Sequence, residues 1–149
     1  IKNTLMVFYY YVSMYLKKYM GLEDVIYFAE DGVVNDEIIE KYNIVVLHCT
    51  DHANISCGID LAYNANSLSE MNFEDVKAYM DTIHRNDAFY FYHQNANFFP
   101  WKQSAFGHIE NPASTFPIDR DKYMKLFQAI APWSSGSGRY REFLYQKRS

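Results

Sequence analysis

A glycine-rich cofactor loop is the first thing this sequence lacks. Its six glycines include no G-x-G-x-x-G. The one G-x-G, Gly136-Ser137-Gly138, comes before the last expected strand instead of opening a helix, so it reads as a turn. Cysteine is scarce. Cys49 and Cys57 form no C-x-x-C, which argues against a redox motif or a disulfide scaffold and leaves free thiols as the default. The five histidines show no H-x-x-x-H spacing. A zinc set of His48, Cys49, His52 and Cys57 can be drawn, but its strand-and-loop context argues against it, and no metal is expected. Positive charge is in deficit: 14 Lys and Arg stand against 18 Asp and Glu, for a net charge of −4. With no basic stripe on any expected helix, nucleic acid is not expected as a partner. The longest apolar stretch, 5–16, is interrupted by tyrosines and Ser13 and falls short of the roughly 20 residues of a membrane span. It also lacks a signal-peptide cleavage signature. A cytoplasmic location with no membrane span is expected.

What is present fits one globular domain. The chain has 149 residues, 49% hydrophobic and 21% charged, enough to enclose a core. Aromatic residues reach 18%, 14 of them tyrosine. Tyr packs its ring and keeps a hydroxyl for a partner, which suits a carbohydrate-facing or interface-forming surface as well as a plain Tyr-rich core.

Periodicity and capping residues order the chain. A helix is expected over 4–20, capped by Asn3 and ended by Gly21. A short strand at 25–29, a turn at Asp31-Gly32 and a short helix capped by Asn35 follow. The β-branched run 43–49 reads as a buried parallel strand. Residues 59–64 read as the next strand. Asn72 then caps a helix over 73–84, with Asp75 completing a capping-box-like pair. Residues 88–94 form an almost wholly aromatic strand. The irregular stretch 95–117, holding Trp101, Phe106 and His108, reads as a lid or substrate wall. Asp119 is expected to cap a helix through Ile130, and 140–146 to form the final strand. The alternation implies an α/β sheet, with the strands ending at Cys49, Asn64 and Gln94 adjacent and parallel.

The most telling segment is Asp60-Leu61-Ala62-Tyr63-Asn64-Ala65-Asn66-Ser67-Leu68-Ser69-Glu70-Met71. An apolar strand breaks into small polar residues and a helix follows, which places Asn64, Asn66, Ser67 and Glu70 where α/β sheets bind ligands. The pattern D-L-A-x-N-x-x-S-x-x-E-M resembles the sugar O-methyltransferases, S-adenosylmethionine-dependent enzymes of the Rossmann-like class. The aromatic strand Phe89 to Asn95, Asn111-Pro112, Phe116-Pro117 and Arg141-Glu142 are similar to that family's later signposts. The resemblance covers most of the chain and is specific around 60–71 and 110–117. It implies a mostly parallel Rossmann-like sheet whose last strand is antiparallel. The family's first strand and Gly-rich loop would fall before Ile1, so the chain is expected to be the C-terminal part of such a domain. The missing strands would occupy the centre of the sheet.

The resemblance also implies site roles. S-adenosylmethionine is the expected cofactor, with adenine against Thr50-Asp51-His52 and its amino end near Asn64. A sugar or glycan is the expected substrate, with Asn66 on the acceptor side and Ser67 and Glu70 beside it. Glu70 has a rival role in tying the loop to a helix N-terminus. From the residues alone, His93 at the end of its strand is a candidate general base, although a lone His among Tyr and Phe is more often a core residue. Asn95, Trp101 and His108 are candidate substrate contacts. The expected function is O-methyl transfer to a sugar hydroxyl. The alternatives are transfer to another small hydroxyl compound and a non-catalytic α/β interaction module, and a homo-oligomer is open to all three.

Overall fold

The computed structural model describes residues 26–29, 32–42, 44–97, 111–132 and 139–149. The expected helix at 4–20 and the loop positions Trp101, Phe106 and His108 lie outside them.

Strand β1 (Ile26–Phe28) pairs in parallel with β3 (Ile44–Val46), with Ile26 opposite Ile44. Between them lie β2 (Val34–Asn35) and helix α1 (Asp36–Lys41). Asn35 caps α1 as expected, its side chain accepting from the Ile38 amide at 3.1 Å, with Asp36 and Glu37 in the first turn where the helix dipole favours them. The β-branched run stops being strand at Val46. Cys49–Asn54 is a 3-10 turn, and β4 (Ile55–Ser56) then pairs in parallel with β2. Val34, Val45, Leu47, Ile55 and Cys57 close a small core here.

The larger sheet has four strands in the order β5 (Leu61–Ala65), β6 (Tyr90–Ala96), β8 (Tyr140–Lys147) and β7 (Tyr123–Ile130). β5 and β6 are parallel, while β8 runs antiparallel to both β6 and β7. Helix α2 (Phe73–Arg85) is the crossover from β5 to β6. Asn72 caps it by accepting from the Asp75 amide at 2.9 Å. Its Val76 and Met80 are fully buried against Phe91 and Phe143 of the sheet, with Leu68, Ala113 and Phe116 completing the core.

Two expectations fail. Residues 119–130 are not a helix. The capping signal at Asp119 is used, since its carboxylate accepts from the Asp121 and Lys122 amides at 2.9 and 3.1 Å. It opens only a turn, closed by the Tyr123 amide on the Asp119 carbonyl at 2.8 Å. From Tyr123 onward the backbone pairs with β8 instead. Apolar residues at 123, 124, 126, 127, 129 and 130 fit either period, and strand pairing decided between them. The second failure concerns adjacency. β5 and β6 are neighbours, but β3 pairs with β1 in a separate sheet, and no described strand joins β3 to β5. The fold is therefore mixed α/β with small sheets, and the final strand is antiparallel. No described helix is long and apolar enough to cross a membrane.

Candidate functional site

The carboxyl end of β5 is built around one buried amide. The Asn66 amide donates to the Gln94 carbonyl at 2.8 Å, which carries the β5–β6 ladder one step beyond the strand. Asn66 itself sits in the left-handed region, φ 58°, a conformation that Asn tolerates better than most residues. The chain there leaves the sheet and enters the 3-10 turn Leu68–Glu70. Asn95, on β6, holds that turn. Its side-chain oxygen accepts from the Ser67 amide at 3.2 Å, the Ser69 amide at 3.4 Å and the Ser69 hydroxyl at 3.5 Å. Its side-chain nitrogen donates to the side-chain oxygen Oδ1 of Asn64 at 2.9 Å. Asn64 in turn donates to the Ser67 hydroxyl at 2.7 Å.

This network sorts the candidates. Asn95 is fully buried and its oxygen is consumed by the loop, so it is a positioning group and not an exposed substrate contact. Asn64 is half-buried and engaged on both amide atoms. Ser67 accepts from Asn64, which leaves its hydroxyl proton available for donation. Asn66 and Glu70 are exposed, and the Glu70 carboxylate has no hydrogen-bond partner among the described residues. The rival role for Glu70 is taken by Asn72 and Asp75, which cap α2 themselves. The groups at the rim able to meet a ligand are Asn66, Ser67 and Glu70.

His93 lies elsewhere. It is fully buried, with Phe143, Phe91 and Phe116 ring centres at 4.8, 5.0 and 5.0 Å and Tyr145 at 5.9 Å. Neither ring nitrogen has a hydrogen-bond partner among the described residues. Burial pushes its pKa down to about 3, so the ring is neutral at physiological pH. The structure thus gives His93 the core role and seals it from a bound hydroxyl.

The second cluster follows β3. Within the Cys49–Asn54 turn, Thr50 is exposed, and its hydroxyl donates to the Asp51 carboxylate at 3.3 Å. Gly32, with φ +72°, lies against that carboxyl group: a β-carbon there would come within 3.0 Å of the Asp51 carboxyl carbon. His52 points its chemistry into the scaffold. Its ring stacks on Tyr79 of α2 at 4.1 Å, and its Nδ1 lies 2.9 Å from the Thr82 hydroxyl. The Thr82 hydroxyl also lies 3.2 Å from the Ala78 carbonyl of its own helix. Desolvation lowers the His52 pKa. Tyr79 also donates to the Cys49 carbonyl at 3.1 Å, and Arg85 to the Ala53 carbonyl at 2.7 Å. Helix α2 thereby fastens the turn after β3 while leading out of the turn after β5.

Sequence reasoning missed Ser69, whose hydroxyl accepts from the Ala96 amide at 3.1 Å, and the function of Asn111, which donates to the Met71 carbonyl at 2.6 Å. Small polar residues in a loop carry no signal of which one turns inward. Trp101 and His108 lie outside the described residues. Both cysteines are free, and burial pushes the Cys57 thiol up to about 11. Among the described residues no three His, Cys, Asp or Glu side chains are grouped as metal ligands. An open hollow of about 510 Å³, lined by Phe89, Met124, Gln146, Lys147, Arg148 and Ser149, lies at the amino end of β6 and holds none of the candidate residues. No family model, curated protein or solved structure matches the chain.

Proposed function

We propose that this chain belongs to an S-adenosylmethionine-dependent O-methyltransferase acting on a sugar hydroxyl. The observation that carries the reading is the pinned polar loop at the carboxyl end of β5. It presents Asn66, Ser67 and Glu70 at the edge of a parallel strand pair, the position at which α/β sheets bind ligands. The antiparallel β8 agrees with what the resemblance implies for the last strand.

The chain's residues fit the cofactor in part. Asp51 keeps carboxylate capacity beyond its bond from Thr50 and can accept from an amine. Asn64 retains one N–H after its bond to Ser67. The bound cofactor would supply an electrophilic methyl group on sulfur. The protein's share is to orient the acceptor oxygen and take its proton. Ser67 donates to that oxygen, and the Glu70 carboxylate is the base within the same loop. Asn66 holds a neighbouring hydroxyl. A sugar is favoured over other hydroxyl compounds by the open face of the sheet. There Tyr63, 62% exposed, lies parallel to Tyr92 at 5.7 Å, beside a Tyr92–Glu142 hydrogen bond of 2.6 Å. Flat aromatic surface next to carboxylate and amide groups matches the apolar ring faces and hydroxyl edges of a pyranose.

Calorimetric titration of the intact protein with S-adenosylmethionine and its demethylated product is the direct test. Saturable binding is expected; no heat at millimolar ligand would sink the reading. On the acceptor side, Asn66→Gly keeps the left-handed backbone and removes only the amide, so it is the clean probe. Turnover should fall by a factor on the order of 10 to 1,000, the scale of positioning terms, with little change in melting temperature. Asn66→Ala adds roughly 1 kcal/mol of backbone strain and confounds the two effects. Glu70→Gln should reduce kcat on a similar scale and leave stability alone, because the carboxylate has no partner to lose among the described residues. Full activity in both variants would place the acceptor elsewhere.

A further inference from the structure

One face of the four-stranded sheet packs on α2. The other carries a carboxylate with no counter-ion. Glu142 on β8 lies opposite Gln94 of β6, which lies opposite Ala65 of β5, and the next row on that face sets Tyr63 beside Tyr92. The Tyr92 hydroxyl donates to Glu142 Oε2 at 2.6 Å. The Gln94 amide donates to the same oxygen at 3.2 Å and to the Tyr92 hydroxyl at 2.8 Å. Both donors are neutral and both use Oε2, so Oε1 has no partner among the described residues. Burial and the bond to Glu142 push the Tyr92 pKa up to about 12, which keeps the proton on Tyr92 and the negative charge on Glu142. No Lys, Arg or His among the described residues forms an ion pair with this half-buried carboxylate. Neutral hydrogen bonds hold it in place, but only a cation offsets its charge.

We propose that Glu142, Tyr92 and Tyr63 form a subsite for an amine-bearing sugar, with the ammonium group on Glu142 and the apolar face of the ring against Tyr63. The occupant is a cation by charge complementarity with Glu142, and the parallel Tyr63 and Tyr92 rings, 5.7 Å apart, reinforce that choice, since aromatic faces attract ammonium groups. It carries a sugar ring because Tyr63, 62% exposed, adds flat apolar surface that a bare amine would not use. Tyr63 and Glu142 stand two strands apart, about 10 Å at the backbone, with Tyr92 between them, a span that one hexose and its amine can cover. The subsite adjoins the candidate loop, because the Gln94 carbonyl accepts from the Asn66 amide at 2.8 Å. The inference narrows the acceptor of the proposed methyl transfer and rests on that reading for the reaction, whereas binding belongs to the subsite alone.

Amide chemical-shift titration of the intact chain tests it, without cofactor and at a pH that keeps the amine protonated. The probes are glucosamine, glucose, N-acetylglucosamine and ethanolamine. Glucosamine should shift the Gln94 and Glu142 amides and bind about tenfold tighter than either neutral sugar, the scale of a hydrogen bond to a charged group. Added salt should erode that advantage. Ethanolamine, which has the amine but no ring, should bind more weakly than glucosamine. Glu142→Gln keeps an oxygen for Tyr92, so it should keep the melting temperature and bind glucosamine no better than glucose. Tyr63→Ser should weaken glucosamine and glucose by a similar factor. The comparison among probes and the salt series need no variant. Equal affinity for glucosamine and glucose overturns the proposal. So does an amine preference that survives Glu142→Gln, or ethanolamine binding as tightly as glucosamine. Failure of the cofactor titration with the amine preference intact would remove the methyl-transfer reading and uphold the subsite.

Discussion

Replacing His93 by phenylalanine should make the protein more stable, by about 1–3 kcal/mol at neutral pH, the usual cost of a buried polar group left unpaired. The site is already an aromatic stack, with Phe143 at 4.8 Å and Phe91 at 5.0 Å, and both imidazole nitrogens lack partners among the described residues. A larger effect should appear in acid. The folded-state pKa, about 3, is depressed below the ordinary 6.5. Between these values the unfolded chain binds a proton that the folded chain refuses. Stability tied to His93 is therefore complete above pH 6.5 and is lost as pH falls toward 3, by up to about 1.4 kcal/mol per pH unit. Over that window the stability difference between the Phe variant and the unchanged protein should widen by several kcal/mol. Comparing the two proteins cancels the contributions of His52 and His84, whose pKa values burial also lowers. Urea melts at a series of pH values measure both effects. A Phe variant less stable at pH 7, with an unchanged pH slope, would show that His93 has partners that the structure does not assign it.

Asn95→Leu is expected to be the most damaging single change near the candidate site. It removes the acceptor for the Ser67 and Ser69 amides and the donor to Asn64, in a place with no exposure. Leaving these groups unpaired should cost on the order of 3 kcal/mol, at 1–3 kcal/mol per buried orphan. The loop should also open locally. Amide exchange at Ser67 and Ser69 should accelerate far more than at Val76 or Met80 in the core of α2. Uniform acceleration across the sheet would mean that the loop and the core melt as one unit. Asn95→Asp keeps the acceptor but not the donor, so it should recover part of the stability and show which half of the amide matters more.

Local chemistry alone made several elements legible. Asn35 and Asn72 cap α1 and α2 because each presents a short acceptor to the orphan amide three residues on, a contact settled within one turn of chain. The strand and helix either side of the 60–71 motif were visible for the same reason, since an apolar run, a polar break and a 3.6-residue period each involve only neighbours in sequence. The candidate loop was also located this way, and Asn66, Ser67 and Glu70 are its accessible members.

Tertiary structure decided the rest. The stretch 119–130 has a cap signal and an apolar pattern that suit a helix, but β8 offers it ladder partners from Ile130 opposite Arg141 to Tyr123 opposite Lys147, and pairing outweighs propensity. Whether His93 is a base or part of the core depends on Phe116, Phe143 and Tyr145, all distant in sequence. Asn95, a candidate substrate contact by sequence, is turned inward by its partners at 64, 67 and 69. Elements whose causes lie within a few residues are readable from the chain before it folds. Which strand lies beside which, and which polar side chain turns inward, depend on contacts made only once the chain has closed, because burial and hydrogen-bond satisfaction belong to the assembled core and not to any segment.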